Sequence, residues 1–303
     1  MPVTEVEPAH AELAELLESE TYVDMDKLLS LCRHGVPEHL RPEAWKYLLG
    51  VSRPERSEEM SEGKRMEQEY AELGKVCQMQ PQVARSVRSD VNKHRAELAY
   101  FRDPQMRQRL ENVLRCYLHA QGEEYRPGLV HLLGPLAQIY STEVEVYFMF
   151  HELKRLLVWP MSFEGCKQMT VTFMTLLRHT LPELYVFFEE EQCAGGSWLT
   201  SSGGSWLTSW LQMLLSRELP LPCVLRLWDS YFAYRTSHSH DASLHQLHTY
   251  VCLAILEACH DDVMELDGTE VLWYLQNLPA FDMDQIITQA FNIKDDVIAR
   301  SIL

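Results

Sequence analysis

Four histidines, His238, His240, His245 and His248, crowd one polar stretch, and His245 and His248 stand at the i, i+3 spacing that shares a helix face. Such a face binds zinc when a third or fourth ligand closes a tetrahedral shell. No cysteine falls at ligand spacing beside them, so the cluster predicts no metal site. His151-Glu152-Leu153-Lys154-Arg155 opens like a zinc-protease helix, but Arg155 occupies the place of the second histidine, and a cation there repels the metal. The chain holds no G-x-x-x-x-G-K-[ST] phosphate loop, no G-x-G-x-x-G turn and no G-x-S-x-G nucleophile elbow. No metal, no cofactor and no chemistry of the chain's own are expected.

A charge pattern offers more. Residues 85–115 carry eight Lys and Arg (85, 88, 93, 95, 102, 107, 109 and 115) against four acids (90, 97, 103 and 111). This local positive excess sits inside a chain of 303 residues with 44 acids, 27 Lys plus Arg and a net charge of −17. The global field therefore disfavours nucleic acid and anionic lipid as main partners and leaves protein partners favoured, while the basic stretch could steer an anionic group on one of them. The eight cysteines lie far apart with no C-x-x-C pair, and they read as reduced thiols of a cytosolic chain. The acidic start has no signal-peptide character, and no apolar run approaches the roughly 20 residues a membrane span needs.

The elements that position these groups read as helices, because apolar residues mostly recur at intervals of three and four. In 104–121, Met106, Leu110, Val113, Leu114, Tyr117 and Leu118 form one face and Gly122 supplies a stop. Residues 143–157 are apolar nearly all round in their first half, as in a helix enclosed by others, and 251–259 and 271–278 repeat the theme. A short helix over 24–33 ends at His34-Gly35-Val36-Pro37, and Pro42 opens the next in a first turn where its missing N–H costs nothing. Residues 52–68 predict a loop or an exposed helix face, 9–19 one loosely attached helix, and 234–248 a polar insertion. Gly195-Gly196-Ser197-Trp198-Leu199-Thr200-Ser201 recurs as Gly203-Gly204-Ser205-Trp206-Leu207-Thr208-Ser209. The second copy runs into a helical stretch, so the first reads as a loop duplication that leaves Trp198 exposed.

Specificity comes from an ordered set of short blocks. Residues 35–49 contain Gly35, Pro37, Arg41 and Trp45; 87–91 read Val-Arg-Ser-Asp-Val; 125–129 read Tyr-Arg-Pro-Gly-Leu; and 215–229 end in Arg226, Leu227, Trp228 and Asp229. The set resembles the TBC family of Rab GTPase-activating proteins, whose domain opens with G-[IV]-P-x-x-x-R-x-x-x-W and carries R-[LI]-W-D near its end. The resemblance implies an all-α, multi-helix TBC domain. It implies an acidic N-terminal segment over 1–29, a domain core over 30–235 and C-terminal helices over 236–303. Trp45 and Trp228 read as core packing.

In that family the chemistry lies in the two middle blocks. An I-x-x-D-x-x-R block supplies an arginine finger and a Y-x-Q block a glutamine that orients the attacking water, both inserted into a GTPase's nucleotide pocket. Guanidinium spreads positive charge over the transferring phosphoryl oxygens, and a carboxamide holds water in line. Here the register places Asp90 and then Lys93 at the arginine position, and Tyr125, Arg126 and then Pro127 at the glutamine position. An ammonium lacks the planar fork and proline has no polar side-chain group.

Arg95 and Arg126 are the nearby substitutes, with Asp90, Tyr125, Arg126 and Gly128 as GTPase-contacting candidates. The expected function is therefore a Rab-binding, GTPase-activating-protein-like module impaired in catalysis, a pseudo-GAP or adaptor in membrane traffic. It would be cytoplasmic and held peripherally at endomembranes through a GTP-bound Rab. Two alternatives stay open: an active GTPase-activating protein using Arg126 or Lys93 with the GTPase's own glutamine, and a helical scaffold with no GTPase partner.

Overall fold

A computed structural model describes residues 3–190, 206–234 and 242–302. Its chain divides into two compact units, Met1–Arg155 and Leu156–Leu303, each with its own core. Every regular element among the described residues is helical.

The first unit is built from α1 (Val3–Leu17), α2 (Met25–Cys32), α3 (Arg41–Leu49), α4 (Glu59–Val76), α5 (Pro81–Lys93), the single turn α6 (Ala99–Arg102), α7 (Pro104–Gln121), α8 (Leu129–Ile139) and α9 (Glu143–Leu156). Local chemistry sets most of the boundaries. The Asp24 carboxylate accepts from the N–H groups of Asp26 and Lys27 and so starts α2. Gly50 ends α3 in the left-handed region. Asp103 caps α7, Pro104 follows in the first turn, and Gly122 closes it at φ 62°. Helix α1 begins six residues earlier than the sequence suggested. It is anchored on α2 by buried Leu13 and Leu17 and by a 2.8 Å Lys27–Glu12 ion pair.

The charged stretch 52–68 becomes a short 3₁₀ turn at Arg56–Glu58 and the first half of α4, whose exposed face is laced by Arg65 with Glu62 and Glu69. The core of this unit runs through Trp45, Leu114, Leu132, Leu133 and Phe150, all essentially free of solvent. Gly35, at φ 102°, turns the chain after α2, and Arg41 donates from Nη2 to the Val36 carbonyl at 2.9 Å, holding the entry to α3. In α9, Glu152 takes both His151 and Arg155 as partners, so the protease-like pentapeptide is a surface ion pair.

The second unit comprises α10 (Phe163–Thr180), α11 (Pro182–Glu190), α12 (Trp206–Met213), α13 (Leu221–Ala233), α14 (Ala242–Ala258), α15 (His260–Met264), α16 (Gly268–Gln276) and α17 (Met283–Ala299). Trp206, Trp210 and Trp228 fill its core with Phe173, Phe188 and Phe232. A buried indole N–H usually finds an acceptor, and two of these three do. Trp210 donates to the Leu275 carbonyl at 2.9 Å and Trp228 to that of Leu214 at 3.3 Å. Leu214 and Leu215, both buried, make the turn after α12 at φ 50° and 60°. Arg226 bridges Asp284 and the Ser230 hydroxyl, and Asp229 is fully buried.

The polar insertion expected over 234–248 is corrected here. Tyr234 caps α13, and from Ala242 the chain is the start of α14 with Leu244, His245, Leu247 and His248 buried. Histidine enters a core readily once its ring nitrogens are satisfied. His248 Nε2 lies 2.8 Å from the Trp210 carbonyl and its Nδ1 2.6 Å from the Tyr231 hydroxyl, while His245 Nε2 lies 3.1 Å from the Leu156 carbonyl. Burial lowers the His248 pKa to about 4. Among the described residues no group of three His, Cys, Asp or Glu could hold a metal ion. His238, His240 and Trp198 lie outside the described residues.

Candidate functional site

The two middle blocks, 35 residues apart in sequence, meet in the first unit. Helix α5 buries Val87 and Val91, turns Asp90 to its half-buried flank and ends at Lys93, whose ammonium is exposed and pairs with no acid among the described residues. Across from it, the connection between α7 and α8 carries Tyr125, Arg126 and Pro127. The Tyr125 hydroxyl donates to Asp90 Oδ2 at 2.6 Å. Burial and the adjacent carboxylate push the Tyr125 pKa up, so the phenol remains a donor through the neutral range. Arg126 and Pro127 are exposed beside this bond. Gly128, at φ 103°, is the residue from which α8 starts, and its carbonyl accepts from His131 at 2.8 Å.

A second clamp lies one residue beyond Lys93. His94 is the C-cap of α5 and only 1% exposed; its Nδ1 sits 3.2 Å from His131 Nδ1 in the first turn of α8. At that separation the two nitrogens share one proton, one donating and one accepting. Burial, reinforced by His131 and Arg95, lowers the His94 pKa to about 2, so the ring is neutral. Phe101 meets it edge-on at 4.8 Å. Gly134 makes the room: a β-carbon there would fall 2.0 Å from His94 Nε2.

Neither His94, His131 nor Gly134 was legible as a site residue. The signal was Gly134-Pro135 inside an otherwise apolar helix, since a glycine in such a place marks close approach. Arg95 follows the end of α5 at φ 43°, half buried, in a turn rather than on the helix.

A third contact steadies the loop from the other side. Lys154, almost wholly buried on α9, lies 3.4 Å from Glu123 and over the Tyr117 ring at 5.9 Å; Tyr117 donates to Glu123 at 3.3 Å. Burial lowers the Lys154 pKa, Glu123 opposes that shift, and the positive charge of Arg126 adds to it.

Much of the basic stretch is committed to structure. Arg88 pairs with Glu111, Arg107 donates to the Phe101 carbonyl, and Arg109 donates to the carbonyls of Ala137 and Ser141 where α8 ends. What the arrangement leaves outward is an ammonium at the end of α5 and a guanidinium beside a proline, joined underneath by a tyrosine–aspartate bond. It can present positive charge to an anionic group.

A family model for the Rab-GTPase-TBC domain matches residues 38–264, and the chain belongs to that family. Among curated proteins it is similar to the GTPase-activating protein gyp1 of Schizosaccharomyces pombe, 23% identical over 306 residues covering 89% of this chain and 58% of that protein. It is likewise similar to TBC1 domain family member 22B of Homo sapiens, 24% identical over 326 residues covering 97% of this chain and 63% of that protein.

The chain thus spans about three fifths of the length of these relatives. Among solved structures, the Ypt/Rab-GAP domain of Gyp1p superposes with a TM-score of 0.81 at 18% identity, covering 96% of this chain and 98% of that one. The Chlamydomonas flagellar RabGAP TBC domain gives 0.67 at 20% identity, covering 96% of each. These likenesses carry the fold. Among the described residues no helix is long and apolar enough to cross a membrane.

Proposed function

We propose that this chain binds GTP-bound Rab-family GTPases through the Asp90–Tyr125 surface and is impaired in accelerating their hydrolysis, acting as an adaptor or competitor in membrane traffic. The core would lie over residues 30–235, with the protein peripheral at endomembranes through its GTPase. The observation that supports this reading is the 2.6 Å Tyr125–Asp90 bond, which joins the two blocks in which the resemblance, by register, puts Lys93 and Pro127 at the finger positions. An arginine finger contributes roughly 10³ to 10⁵ in turnover. An ammonium supplies charge without the bidentate fork, and a pyrrolidine supplies nothing to water.

Single-turnover GTP hydrolysis across a panel of Rabs, with a nucleotide-dependent pull-down alongside, tests it. Retention of a GTP-loaded Rab with acceleration under about tenfold is expected; acceleration of about a hundredfold or more overturns the impairment. Retention of no Rab in either nucleotide state overturns the binding. The double variant Lys93→Arg with Pro127→Gln should raise hydrolysis by the Rab that docks.

The exposed Arg126 favours a second reading, an active GTPase-activating protein that uses this guanidinium with the GTPase's own glutamine. Loss of acceleration in Arg126→Ala would identify it.

A further inference from the structure

The second unit contains a cavity of about 560 Å³. Its walls are Trp159, Met169, Thr172, Leu176, His245, Gln246, Thr249, Tyr250, Lys294 and Ile298. In a chain with 44 acidic residues, none of these wall residues is a carboxylate. The lining is chiefly apolar, and Trp159 and Ile298 stand partly in solvent at 42% and 61% exposure.

The one ammonium is held in place. Lys294 Nζ donates to the Tyr234 hydroxyl at 2.6 Å and lies 5.3 Å and 5.9 Å from the ring centres of Tyr234 and Phe291. Among the described residues its polar partner is this hydroxyl, and no ion pair neutralises it. A cation fixed against aromatic faces, half withdrawn from water and unneutralised in an acidic protein, is complementary to an anion.

We infer that this cavity binds a free, single-chain fatty carboxylate, its hydrocarbon lying along Trp159, Met169 and Leu176 and its carboxylate on Lys294. Two features select that chemistry. The apolar walls favour hydrocarbon. The single cation favours one negative head over a zwitterion or a polyanion. The inference is independent of the GTPase reading, since it concerns the other unit and its test involves no GTPase.

The test is titration of the full chain with cis-parinarate, a fluorescent fatty acid, following its emission and energy transfer from tryptophan. Saturable binding at a single site is expected, weaker by about tenfold in Lys294→Gln and largely retained in Lys294→Arg, with the methyl ester weaker by a similar factor. Far-UV circular dichroism checks that Lys294→Gln is folded. If it is not, Thr172→Phe, which narrows the cavity from its half-exposed wall, replaces it and should abolish saturable binding.

Absence of saturable binding overturns the proposal. So does binding that is equal for acid and ester and indifferent to Lys294, which would make the cavity a generic apolar slot. Association confined to anionic phospholipid vesicles, with none to the monomeric acid, also overturns it in favour of a membrane surface.

Discussion

His94 ties the stability of this fold to pH. Its imidazole is buried and neutral with a pKa near 2, against 6.5 ordinarily. The unfolded chain takes up a proton near pH 6.5 that the folded chain refuses, so stability present above pH 6.5 is lost as pH falls, at up to about 1.4 kcal/mol per unit. By pH 5 this amounts to about 2 kcal/mol, and His248, with a pKa near 4, adds a similar loss over the same range. Urea unfolding at pH 7, 6 and 5 measures it: His94→Asn should have a shallower decline than the parent chain, and equal slopes would show that the ring is not held neutral.

That such a residue escaped sequence reading has a physical cause. Its partner His131 is 37 positions away, and nothing in local spacing reports a contact made by tertiary packing. Asp90 and Tyr125 were singled out through the resemblance of their blocks to the family's motif, and the bond between them is a property of the folded chain.

At the scale of elements, sequence legibility followed capping. Helix α7 was readable at both ends because Pro104 and Gly122 are local signals, whereas the start of α14 was misread because histidines were counted as polar, although both ring nitrogens of His248 and Nε2 of His245 meet backbone carbonyls and a hydroxyl. The junction of α5 with α8 is the element contact on which the site depends, and Gly134 sets its spacing. Gly134→Ala forces a β-carbon to within 2.0 Å of His94 Nε2, so either the ring leaves its pocket or α8 shifts. Overpacking of this kind costs about 1 to 3 kcal/mol. The midpoint of thermal unfolding should drop by several degrees, as read by circular dichroism. The displacement also moves the Tyr125 loop relative to Asp90, so affinity for any partner of that surface should fall with it. A Gly134→Ala variant of unchanged stability would mean that the helices are not fixed by this contact.

Across the whole molecule, a net charge of −17 surrounds a site whose outward groups, Lys93 and Arg126, are positive. Self-repulsion among the acids opposes compaction and is screened by salt, while attraction between the two cations and a phosphate-bearing partner is screened as well. Raising NaCl from about 50 to about 300 mM should therefore stabilise the free chain slightly in thermal unfolding while slowing its association with a GTPase. Faster association at high salt would show that the acidic surface dominates the encounter.

The division into two units also bears on how the protein is made. Asp90, Lys93, Tyr125, Arg126 and the Lys154 that steadies their loop all lie before residue 156. At about 5 to 20 residues per second, the ribosome needs about 7 to 30 seconds more to deliver residues 156–303. A nascent chain thus carries these groups of the proposed GTPase surface well before its tryptophan-rich half exists.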